Sequence, residues 1–140
     1  MYIISEVRSL NWTAIGIGAL IGGLFRYMFE VFIPTLASIP LGTLTVNLLG
    51  CLLLGFIYFA AEQQVWPTWL RLGLGTGMIG AFTTFSTFSL ELAQLAQSHL
   101  LDAVLYGLIS IIGGLIFVMI GEWLGGTLFE RRASTEEVYS

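Results

Sequence analysis

Polar and apolar positions alternate here on the scale of whole segments, not of single residues. Long apolar runs cover about 12–32, 41–61, 69–97 and 103–121, and short polar or proline-marked stretches separate them. Pro34 and Pro40 bracket the first gap, Glu62-Gln63-Gln64-Val65-Trp66-Pro67 fills the second, and His99 and Asp102 mark the third. Each run is long enough to cross a bilayer as a helix. Lipid-facing backbone must bond within its own segment, and the runs are too continuously apolar for the alternation of barrel strands. The pattern predicts an all-α membrane protein, one domain of four transmembrane helices over residues 1–140. A polar tail over 130–140 is expected to fray.

Composition sharpens this picture. Of 140 residues, 56% are hydrophobic and 10% charged, against about 25% charged in soluble domains. Trp12, Trp66, Trp69 and Trp123 fall at span ends, where interfacial aromatics belong. The polar residues 1–10 precede the first run without a cleavage site, so that run reads as a span and not as a removed signal peptide. The chain has no lysine and a single histidine. Phosphate loops and metal-ligand clusters therefore lack their residues, and no enzyme activity is expected. Cys51 is alone, with no disulfide partner, and reads as a small packing residue.

Ala14, Gly18 and Gly22 recur every fourth residue and give the first helix a smooth packing face. The third span is different. Gly73, Gly75, Gly77 and Gly80 crowd together, and Gly80-Ala81-Phe82-Thr83-Thr84-Phe85-Ser86-Thr87-Phe88 sets three phenyl rings among four hydroxyls. Glycine weakens a helix and threonine bonds back to the backbone. A break near 80–84 is expected, whose freed carbonyls either ligate a hard monovalent cation or are satisfied by neighbouring helices.

Arg26 shares the face of Gly18 and Gly22; it attracts anions at a vestibule, or snorkels and pairs with Glu30 one turn away. Thr43, Asn47 and Gly50 share one face of the second helix, and the Asn47 amide serves an anion or an interhelical hydrogen bond. Phe82, Phe85 and Phe88 are spaced for a stripe. Ring edges carry partial positive charge, so rings interleaved with hydroxyls can face a small anion without a formal charge. Tyr106 and Ser110 add a second polar line, or bond to backbone.

Three motifs carry a family resemblance: Gly42-Thr43-Leu44-Thr45-Val46-Asn47-Leu48-Leu49-Gly50, Gly77 to Phe88, and Gly22-Gly23-Leu24-Phe25-Arg26-Tyr27. They resemble the Fluc (CrcB) fluoride channels over roughly 15–121. The resemblance implies a broken third helix, an antiparallel dual-topology dimer with two fluoride pores, and a central structural sodium ion (Na+). It implies passive fluoride efflux across a cell inner membrane as a multi-pass protein in contact with lipid, giving fluoride resistance, with no nucleic-acid partner. Carried over by motif, Asn47, Phe85, Phe88, Ser86, Thr87, Tyr106 and Ser110 line the fluoride pore. Arg26 and Glu91 border its vestibule, and Gly80 and Thr83 give backbone carbonyls to sodium. Ala81 departs from the glycine of many members, and Gly114 lacks a hydroxyl that some carry. Arg8, Arg71, Arg131 and Arg132 fall on one side of the four spans, which favours one orientation. A homodimer and a heterodimer with an oppositely oriented homologue are therefore both open. A proton-coupled exporter of the small-multidrug type needs an embedded carboxylate, and the first span offers only Glu30 near its end. A non-transporting assembly factor has no use for the polar third span.

Overall fold

In a computed structural model the backbone is described for residues 2–139 except 37 and 65, and the side chains for 8–128 with the same two exceptions. The long apolar runs form helices α1 (Tyr2–Phe32), α2 (Leu41–Gln63) and α6 (Leu100–Tyr139). Between α2 and α6 the chain changes form four times: α3 (Thr68–Arg71), a π-helix π1 (Leu72–Ile79), one turn α4 (Gly80–Phe82), and α5 (Phe85–Ser98). Among the described residues three helical stretches are long and apolar enough to cross a membrane, Arg8–Phe32, Leu41–Gln63 and Leu100–Leu128. They outrun the expected first and fourth spans, and α6 carries helical backbone through the tail expected to fray; the tail's side chains lie outside the described residues. The expected third span is divided among the four short elements, none of membrane length alone.

Two seams hold the bundle, α1 against π1 and α2 against α6, and both depend on bare backbone. A Cβ on Gly18 would strike the Gly73 carbonyl, one on Gly22 the Met78 carbonyl, and one on Gly77 the Ile15 carbonyl at 2.5 Å. The every-fourth-residue face of α1 thus lies directly on the backbone of π1. In the second seam, Gly55 meets the Val118 carbonyl and Gly121 the Leu52 carbonyl. Helices in lipid gain little from apolar burial, so this close van der Waals contact is what joins them. Large side chains point outward instead: Leu20, Leu24, Phe32, Ile111 and Met119 are mostly exposed, as suits a lipid-facing surface.

At the α5–α6 end a small core forms from Leu95, Ala103 and Tyr106, flanked by Ile39, Leu44, Phe88 and Leu92. Leu36 and Ile39 pair backbone to backbone across the proline-bracketed turn. Asp102 lies in the first turn of α6, where a negative charge suits the helix dipole.

Candidate functional site

Thr83 and Thr84 leave the helical conformation, with ψ of 156° and 123°. An extended residue inside a bundle needs new partners for its backbone, and Asn47 supplies both. Its Nδ2 donates to the Thr84 carbonyl at 3.0 Å, and its Oδ1 accepts from the Thr84 N–H at 2.8 Å. The amide pairs with Thr84 as a strand neighbour would. Of the two roles open to Asn47 from sequence, the interhelical bond is the one formed here. One Nδ2 proton remains without a partner among the described residues.

Thr84 then caps α5. Its Oγ1 accepts from the Thr87 N–H at 3.2 Å and donates to Thr87 Oγ1 at 3.0 Å. Because that proton is committed, the 3.3 Å contact between Thr84 Oγ1 and Ser86 Oγ takes its proton from Ser86. Thr87 keeps its own hydroxyl proton, whereas Ser86 does not.

The same bonds leave two carbonyls without their helical donors. In an unbroken α-helix the Thr84 N–H would go to Gly80 and the Thr87 N–H to Thr83. Both are diverted, to Asn47 and to Thr84 Oγ1. Thr83 keeps its own donors on the Ile79 carbonyl, through its N–H at 2.9 Å and its hydroxyl at 3.0 Å. Gly50 makes this fit possible, since a Cβ there would collide with the Thr83 methyl.

A cleft of about 320 Å³ opens beside the break, lined by Asn47, Gly50, Cys51, Thr83, Phe85, Phe88 and Ser110, among others. Ser110 Oγ is buried there with no partner among the described residues. The Phe85 and Phe88 rings stand 6.0 Å apart with 41° between their planes, and Phe88 meets Tyr106 at 5.2 Å and 49°. Phe85 is 81% exposed, so one wall of the cleft is open in the single chain. Cys51 packs against Gly114, as expected of a small residue, and also lines this cleft.

One turn beyond Phe88, the Glu91 carboxylate accepts from Thr43 Oγ1 at 2.7 Å and from the Tyr106 hydroxyl at 2.8 Å. Tyr106 is fully buried and Thr43 nearly so. The hydroxyl of Tyr106 thereby commits its only proton to Glu91. Glu91 also borders a second, polar cavity of about 380 Å³ with Thr35, Ser38, Gln94, Ser98 and His99. This network joins α2, α5 and α6 under the Phe88 ring. Reading the chain residue by residue missed it, because its members lie 48 and 15 positions apart.

Arg26 is half-buried on α1, away from both cavities, and forms no ion pair with Glu30 among the described residues. The Glu30 Oε1 atom is buried without a partner among the described residues.

Residues 13–122 match the family model described as CrcB-like protein, Camphor Resistance (CrcB). The chain belongs to the CrcB family. Among CrcB relatives, a Bacillus cereus protein named fluoride-specific ion channel FluC 1 is 42% identical over 99% of this chain and 98% of its own length. A Methanocaldococcus jannaschii protein named fluoride-specific ion channel FluC is 42% identical over 82% of this chain and 94% of its own. A Listeria monocytogenes protein named fluoride-specific ion channel FluC 2 is 45% identical over 84% and 92%. The CrcB match takes in every element that builds the break, the cleft and the Glu91 network. It is a family of ion channels and not of enzymes.

Proposed function

We propose that this protein is a fluoride-selective channel for passive efflux, working in a cell inner membrane as an antiparallel dimer with two pores. The single observation that carries this reading is the cleft at the break. It joins two phenyl rings, an amide N–H and a buried hydroxyl unpartnered among the described residues, without a formal charge, in a chain whose relatives bear the name of fluoride channel.

Moving a small anion out of water is costly unless donors replace its hydration. Phe85 and Phe88 offer ring edges, Asn47 its second N–H, Thr87 its free hydroxyl proton, and Ser110 an uncommitted hydroxyl. Ser86 and Tyr106 act differently in this arrangement. Ser86 supports the cap, while Tyr106 presents its ring to Phe88 and its proton to Glu91. Larger halides fit poorly between such close donors. Arg26 draws anions toward an entrance, and Glu91 borders one.

The open face at Phe85 is the natural seat of a second subunit. The carbonyls of Gly80 and Thr83, deprived of helical donors, are of the oxygen type that a hard cation prefers. Two of them are too few to enclose sodium, and a second copy at the same face doubles the set. Such an ion supplies positive charge that makes the interior less hostile to an anion. The arginine bias favours pairing with an oppositely oriented homologue if all copies insert one way; mapping tagged termini from both sides of the membrane distinguishes this from a dual-topology homodimer.

The test is fluoride release from liposomes holding the purified protein, read with a fluoride electrode and repeated with chloride. Rapid fluoride release without matching chloride release is expected. Equal release of both anions, or none from folded dimers with any required partner present, overturns the proposal.

A further inference from the structure

A third cavity, of about 250 Å³, lies apart from the break, between α2 and the stretch from α3 into π1. Its rim carries Arg71, Thr68, Thr76 and Tyr58, and its walls include Ile57 and Leu72. None of the four polar side chains has a hydrogen-bond or ion-pair partner among the described residues. An unpaired guanidinium beside three uncommitted hydroxyls, over an apolar wall, is complementary to a phosphodiester carrying acyl chains.

The position of the cavity agrees with its chemistry. Trp66 and Trp69 flank the start of α3, and tryptophans settle at headgroup depth. Arg71 is on the side of the chain that also carries Arg8, Arg131 and Arg132, and in a subunit inserted as the arginine bias directs, that side faces the cytoplasmic leaflet with its anionic lipids. We infer that this cavity is a binding site for the headgroup of an anionic phospholipid, with Arg71 on the phosphate, Thr68 and Tyr58 donating beside it, and the first acyl carbons against Ile57 and Leu72. The site is separate from the anion cleft and does not depend on what passes through it.

The experiment is native mass spectrometry of the full chain in detergent, titrated with dioleoylphosphatidylglycerol or dioleoylphosphatidylcholine. The wild type should retain phosphatidylglycerol over phosphatidylcholine. Arg71→Gln should weaken that retention by about fivefold, on the order of one basic residue's worth at an anionic surface. Arg8→Gln removes the same charge from the same side and should leave retention unchanged. Thr68→Val is a milder second variant that keeps the charge, and it should also weaken retention. Displacement of the lipid by millimolar inorganic phosphate would mean that the pocket reads a phosphate group alone and would overturn the lipid assignment. Equal losses in Arg71→Gln and Arg8→Gln would reduce the effect to net charge, and an absence of lipid preference would remove the site.

Discussion

The two halves of the third hydrophobic stretch are joined by two extended residues and are held in opposite ways. Before the break, π1 lies on α1 with carbonyls against glycine hydrogens. After it, α5 is positioned by polar side chains reaching across: Asn47 to Thr84, and Thr43 and Tyr106 to Glu91. The first half is scaffold, with nothing chemically reactive in its contact. The second half holds its shape with side-chain donors, Ser86 and Thr84 at the cap and Thr43 and Tyr106 on Glu91, and sets Phe85 and Phe88 beside a cleft. Rigid backbone packing on one side is what allows a broken, hydroxyl-rich segment on the other.

The comparison can be broken most severely at the scaffold. Gly22→Val places branched carbons on the Met78 carbonyl, where backbone has to move. A loss of more than about 3 kcal/mol is expected, seen as failure to recover folded protein from membranes. Normal recovery and thermal stability would show that α1 and π1 are not in such contact.

Asn47→Ala comes next. It strips both partners from the Thr84 backbone while leaving the scaffold seams alone. Two buried groups left unpaired amount to about 2–4 kcal/mol, measured by unfolding in detergent. A loss of less than about 0.5 kcal/mol would argue against the two-point pairing.

Glu91→Gln is milder, since the amide oxygen can still accept one hydroxyl and the other can rotate. A cost of about 1 kcal/mol is expected. Thr43→Val in the Glu91→Gln background should then cost less than in the wild type, and additive losses would contradict a shared network.

The smallest stability effect belongs to Ser110→Ala. Its Oγ has no partner to lose among the described residues, so unfolding should change by less than about 0.5 kcal/mol while fluoride flux falls. A large destabilisation would assign Ser110 to the scaffold, and unchanged flux would remove it from the path.

Much of this division was legible in the sequence. The spacing of Ala14, Gly18 and Gly22 announces a backbone contact, and the stripe Thr43, Asn47, Gly50 meets Glu91, Thr84 and Thr83 in that order. Both are visible because helical periodicity turns spacing into a face. The π-helix was not legible: four crowded glycines suggest a weak helix, but the change in hydrogen-bond register depends on how α1 packs against it. The Glu91 network was hidden because hydroxyl and carboxylate meet only once α2, α5 and α6 are placed. Arg26 and Glu30 show the reverse case, where one-turn spacing permits a pair that does not form.

The central claim is that the polar half of the third stretch, and not the glycine-packed half, forms a path for fluoride. The most direct measurement compares fluoride and chloride release from liposomes for the wild type and for Phe85→Ile with Phe88→Ile, at equal amounts of folded protein. The account predicts fast, fluoride-selective release by the wild type and its loss in the double variant, whose glycine seams are untouched. Undiminished fluoride release without the two rings would contradict it.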